Sequence, residues 1–353
     1  MKRFLYGFLV VFAFLSLAHP AFAHEAYVLT HAEFQQGLHM VTANPLAPLV
    51  DPHYLYVSIL ITVAVMAVYL LALLWATTSW AATLDRIIKK ANALGPLLIR
   101  AAISSSFFYA AFANAILGPE LSLTGIPGGH IIRFLLFALS LMIFFGFLTE
   151  LAALIGLLLF FYISFTFQAY MITYANYFGE LIVLFLFGSR FFSIDLLLFG
   201  KKAWFSFFEK RRFLETPLVR ILYGIALMYA GWTIKFVHQN LSIDVYNQYH
   251  LINFFHASAA YIAAGAGLSE ILIGLFIFLG FAQRLTTIIS LFFITISILY
   301  FREMLWPHFM LYGISFSIII NSADIFTIDR YLVPFVRNIR TGNIMKKRKG
   351  KHT

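Results

Sequence analysis

Long apolar runs separated by short polar stretches dominate the chain from residue 54 onward. Nine of them approach the roughly 20 residues that cross a bilayer as a helix. They lie near 54–79, 97–117, 130–148, 150–168, 174–189, 217–237, 257–282, 285–302 and 308–323. The fifth and ninth are short, so a full crossing needs tilt or local thinning of the bilayer. At the amino terminus, Lys2 and Arg3 precede an apolar stretch ending in AHPAFA, with Ala21 and Ala23 at the small-residue positions that signal peptidase accepts. Residues 1–23 read as a cleaved signal peptide; the alternative, an uncleaved anchor, adds one helix and leaves later orientations unchanged.

Composition agrees with this pattern. The chain is 61% apolar and 18% aromatic, with 11% charged residues and a mean hydropathy of +0.86. Soluble domains are about one quarter charged, so the expected fold class is an all-α membrane protein. The absence of cysteine excludes disulfides, thiolate metal sites and thiol redox chemistry. Any electron transfer must use a bound cofactor or a partner.

Basic residues test the orientation, because cytoplasmic loops collect Lys and Arg. With the mature amino terminus outside, 20 basic residues fall inside or at inner helix ends, against Arg133, Lys235 and Arg302 outside. The chain is expected in a bacterial inner (plasma) membrane, with its amino terminus periplasmic and its carboxyl terminus cytoplasmic. The net charge of +10 then needs no nucleic acid. The tail KKRKGKHT reads as a polybasic end against anionic headgroups. GKKAWFSFFEKRRF reads as an interfacial segment, with Trp204, Phe205, Phe207 and Phe208 entering the headgroup boundary.

The spans form a repeat. Arg100, Tyr109 and Ala110 align with Arg220, Tyr229 and Ala230, each 120 residues on. IFFGFLTEL from Ile143 aligns with IFLGFAQRL from Ile277, and SID from Ser193 with TID from Thr327, now 134 residues on. The expected organisation is a periplasmic segment (24–53), one helix (54–79), a four-helix unit (97–199), a basic linker (200–216), a second unit (217–330) and a basic tail (331–353). Units of four spans enter from the same side, so they are parallel repeats.

The unit pattern resembles the DoxX family of small four-helix membrane proteins. It has an Arg at the inner end of the first helix, spaced glycines, an aromatic-small run ending near a Lys, and then GLSEILIGLFIFLGFAQRLTTI. The second unit carries the resemblance better, and the chain looks like a tandem DoxX-like protein. Relatives include the DoxX and DoxD subunits of thiosulfate:quinone oxidoreductase. The resemblance therefore implies a respiratory or redox setting, with a periplasmic or membrane redox partner, and names no reaction.

Candidate chemistry lies in the outer half of the second unit. Lys235 either snorkels to water or serves as a ligand. Glu270, midway along an apolar helix, needs a partner, a proton or water. It is read as either a site residue or a hydrogen-bonded structural acid. Glu180 in the fifth span is its weaker counterpart. The expected site holds a quinone-like molecule. Lys235 and a histidine would bind a carbonyl oxygen, Glu270 and His256 would move protons, and Trp232, Glu303 and His308 would complete the pocket. In the first unit, GIPGGH carries no phosphate-loop chemistry, and Glu120 in the preceding turn reads as facing water.

Two readings from other classes stay open. Cleavage after Ala23 leaves His24 with a free amine that can chelate copper, with His31 as a further ligand; against it, THAE from Thr30 is a helix-capping box with solvated histidines. The chain is otherwise a non-enzymatic scaffold or assembly subunit for a periplasmic oxidoreductase.

Overall fold

The computed structural model describes residues 29, 31–189, 192–200, 206–322 and 324–341. The expected signal peptide, His24, Trp204, Phe205 and the KKRKGKHT tail lie outside the described residues, as do the side chains of His31, Phe207 and Phe208. Among the described residues there is no strand, only an isolated bridge between Ala115 and Ser122.

All nine apolar segments contain a helix. We label the longer helices α1 (His31–Leu38), α2 (Pro52–Ala76), α3 (Ser79–Lys89), α4 (Gly95–Ala113), α5 (Gly129–Phe145), α6 (Thr149–Phe167) and α7 (Ala175–Phe187). The second half adds α8 (Glu215–Trp232), α9 (Gln239–Gln248), α10 (Ala259–Leu279), α11 (Gln283–Phe301), α12 (Phe309–Ile320) and α13 (Asp329–Arg340). Six helical stretches are long and apolar enough to cross a membrane, with α6 and α7 running as one, Thr149–Phe187. Gly129–Phe145 and Trp306–Ile320 are shorter apolar helices. The chain is a multi-pass membrane protein.

The two halves share a turn that explains their sequence similarity. Gly146 ends α5 and Gly280 ends α10, both at positive φ, 65° and 64°. The next helix starts after Leu148 or Ala282, which also have positive φ. Asp195 accepts from the amides of Leu148 and Thr149 at 2.7 and 3.1 Å. Asp329 accepts from Ala282 and Gln283 at 2.8 and 2.9 Å. These carboxylates satisfy amides that a helix start leaves open. The asparate of SID or TID is thus set by the helix start that it caps, 47 residues earlier in each half.

The helix-one arginines close the same ends. Arg100 donates to the carbonyls of Ser189 and Phe192. Arg220, wholly buried, donates to Asp324 at 2.9 Å and to the carbonyls of Ile277, Phe278 and Phe326. Phe192 and Phe326 are again 134 apart.

The halves also exchange their last helices. α7 packs on α8, and α12 packs on α4. A Cβ at Gly179 would meet the Leu222 side chain at 3.1 Å, and one at Gly313 would meet the Leu98 carbonyl at 3.2 Å. Each fourth helix therefore faces the other half's first helix through a glycine, and the interface between the halves lies inside the bundle. α2 remains largely exposed and leans on the second half, where Tyr54 stacks on Tyr261 at 4.3 Å and the Tyr69 hydroxyl meets Thr286 at 3.1 Å.

Candidate functional site

Lys235 and Glu270 meet because two glycines let α8 and α10 close on each other. α8 continues into one π-helical turn, Thr233–Val237, which carries Lys235. A Cβ at Gly267 would lie 2.8 Å from the Lys235 Cβ, and one at Gly231 would lie 3.1 Å from the Glu270 Cβ. Lys235 Nζ stands 3.6 Å from Glu270 Oε2, with the side chains 12% and 18% exposed. This is an ion-pair contact, longer than a hydrogen bond. It supplies the partner that an intramembrane carboxylate requires.

Two other expected members lie apart from this pair. His256 is exposed at the start of the segment leading to α10, with Nδ1 at 3.3 Å from its neighbour's carbonyl, Phe254 O. Glu270 lies eleven residues into the helix that starts at Ala259, beyond His256, about 16 Å along its axis at the usual rise. Trp232 is half exposed, with its ring 5.8 Å from Phe236.

Glu303 and His308 form a second pair, both buried, with Nε2 2.7 Å from Oε2. Ser297 donates to the other oxygen of Glu303. His308 Nδ1 lies 2.9 Å from the Met304 carbonyl. A carbonyl only accepts, so Nδ1 carries the hydrogen of that bond, while Nε2 faces the Glu303 carboxylate as a close polar contact. Both imidazole nitrogens are thus engaged within the protein.

A cleft opens between the two halves, beside this pair. From the first half come Glu120, Tyr170, Tyr174 and Tyr177; from the second come Ala230, Ile234, Pro307, His308 and Leu311. Its volume is about 70 Å³, room for a few waters or a small polar head group. Glu120 is buried, which corrects the expectation that it faces water. Tyr170 and Tyr174 both donate to its Oε1. Its loop reaches inward through Asn114, Gly125 and Gly128, all at positive φ. At Gly118 a Cβ would press on the Tyr174 hydroxyl and on Glu120 Oε2, so any larger residue would have to shift this pair.

Among the described residues, no group of three or more His, Asp and Glu is placed to hold a metal ion. Burial and then the neighbouring Glu33 charge push Asp244 on α9 above the ordinary carboxylate range.

The structure therefore defines a helical, multi-pass membrane protein with a cleft between its halves to which both contribute polar side chains. Residues 216–303 match the DoxX family model, making this part of the chain DoxX-like. The match begins with α8 and ends just after α11. No curated protein and no solved structure matches the chain.

Proposed function

We propose that this chain is a DoxX-like membrane subunit of a respiratory or redox system, built from two such units in tandem. It holds the oxygen-bearing head of a quinone-like amphipathic molecule in the cleft between them, in the outer half of a bacterial inner membrane. The observation that carries this reading is the Glu120, Tyr170 and Tyr174 cluster facing His308 across an otherwise largely apolar opening. A few convergent polar groups on apolar walls are what a small-molecule site requires. The turns closed by Asp195 and Asp329 support the tandem relation.

This reading moves the ligand from the interior of the second unit to the interface. Lys235 and Glu270 neutralise one another, and Trp232 faces outward. Within the cleft, Tyr170 and Tyr174 hold the Glu120 carboxylate, which would accept a hydrogen bond from a hydroxyl of the reduced, quinol form of the ligand. The His308–Glu303 pair backs the wall of the cleft, while Lys235 and Glu270 pin α8 to α10. A full quinone ring requires the cleft to widen beyond about 70 Å³.

The test is photolabelling of membrane vesicles with an azido-quinone. The label is expected on peptides spanning 168–177 and 304–311, and excess unlabelled quinone should compete it away. Competed label confined to 257–270, or no competed label, would overturn the assignment.

A further inference from the structure

Three polar side chains recur at three-residue intervals where α7 begins: Tyr174, Tyr177 and Glu180. That spacing stacks them along one face of the helix. The column starts in the cleft, where Tyr174 donates to Glu120. The rings of Tyr174 and Tyr177 are 5.8 Å apart, and both line the water-sized space. The buried Tyr177 hydroxyl lies 2.5 Å from the Ser106 hydroxyl and 3.2 Å from the Leu117 carbonyl.

One turn deeper, Glu180 is fully buried, and neither carboxylate oxygen has a hydrogen-bond partner. The packed elements bring charges, but these are engaged elsewhere. Arg220 on α8 is bound by Asp324. Arg100 on α4 is held by the Ser189 and Phe192 carbonyls. Glu150 on α6 faces Gly188, at the opposite end of α7. Lys210, Arg211 and Arg212 are exposed at the inner end. Tyr223 on α8 meets Ser290, and Tyr312 on α12 meets Thr295. A carboxylate with no donor or cation in reach is not sustained in such surroundings, whereas a neutral acid is.

We propose that Glu180 is a proton-binding site within the membrane, a neutral carboxylic acid whose proton exchanges with the outer cleft through Tyr177, Tyr174 and Glu120. Glu180 makes no hydrogen bond to Tyr177, so water must bridge that gap as well as the one between the two tyrosines; each hydroxyl and each water accepts one proton and releases another, and charge is conserved at every transfer. The site takes protons from the outer side whether or not the cleft holds a quinone.

Infrared spectroscopy of the protein in lipid nanodiscs tests this. At pH 7 the Glu180→Gln variant should lack one protonated-carboxyl carbonyl band present in the wild type. That band should shift in D2O, and Tyr177→Phe should slow the shift by about tenfold or more, as loss of a positioned proton-transfer group does. An unchanged carboxyl region in Glu180→Gln would overturn the proposal. So would exchange at the wild-type rate in both Tyr177→Phe and Tyr174→Phe. If Glu180→Gln does not fold, dicyclohexylcarbodiimide on the wild type decides, because it modifies protonated carboxyls in apolar surroundings. Glu180 modified at pH 7 supports the site, and Glu180 unmodified refutes it.

Discussion

Removing Asp324 should expose how much of the fold rests on the buried Arg220. The guanidinium is wholly buried and Asp324 nearly so, with Nε to Oδ2 at 2.9 Å. Breaking a buried pair by deleting one partner costs about 3–5 kcal/mol, because the remaining charge is left uncompensated. Arg220 in Asp324→Ala keeps the carbonyls of Ile277, Phe278 and Phe326 as acceptors, so we place the loss at the lower end, about 3 kcal/mol. The Phe326 amide also loses its acceptor, Asp324 Oδ1 at 2.9 Å. The assay is reversible unfolding in mixed micelles, with Arg220→Met, Asp324→Leu as the double variant. Removing both charges leaves nothing unpaired, so the double variant should be more stable than Asp324→Ala. A loss below about 1 kcal/mol for Asp324→Ala, the range of a solvent-exposed pair, would mean that Arg220 reaches water and would refute the argument.

Five other substitutions test the packing, the turns and one ion pair. Gly224→Ala should cost about 1–3 kcal/mol by overpacking, since its Cβ would lie 2.6 Å from the Gly274 carbonyl; Gly265→Ala, with nothing within 4 Å, should be neutral or slightly stabilising in the same unfolding assay. Asp195→Ala and Asp329→Ala each remove a carboxylate cap from a helix start and should each lower stability by about 1 kcal/mol; a loss from only one would contradict the equivalence of the turns. Asp85 is partly desolvated, which opposes ionisation, but hydrogen bonds and charges from Lys89 and Arg284 outweigh this and hold it below its ordinary value of 3.8. The tether of α3 to Arg284, 2.7 Å long, therefore stabilises fully above that ordinary value and is lost as pH falls through the depressed one. Hydrogen exchange in α3 should rise only under that acidic condition in the wild type and already at pH 7 in Asp85→Asn.

The helices were legible because a membrane span must be apolar along its whole length, so each writes itself into a continuous run. The repeat was legible because its turns need particular residues: a glycine at positive φ, an aspartate for two open amides, and an arginine across the end. Ends were less so; the run 54–79 outlasts α2, which stops at Ala76, and the Thr78 hydroxyl accepts from the Ala81 amide and starts α3 beyond it.

The candidate site was only half legible. Lys235, Glu270, Glu303 and His308 stood out as polar groups in apolar surroundings, and the structure pairs them two by two. Their pairing removes the free ligand groups that a pocket inside the second unit needed. The cleft itself left no local mark, because it is made by exchange of the fourth helices between halves. Internal similarity states which helices correspond, not which ones touch. Glu120 was read as solvated since it follows Pro119 in a turn-rich loop, yet its partners Tyr170 and Tyr174 lie 50 and 54 residues away.

The claim that the inter-half cleft is the ligand site is tested most directly by mass spectrometry of small molecules retained by the gently purified protein. The wild type is compared with two folded double variants, Glu120→Gln, Tyr174→Phe in the cleft and Lys235→Ala, Glu270→Gln in the second unit. A quinone carried by the wild type and by the Lys235, Glu270 variant, and lost from the cleft variant, is the predicted result. A wild type that carries no quinone, or a quinone that stays with the cleft variant and leaves the other, would contradict it.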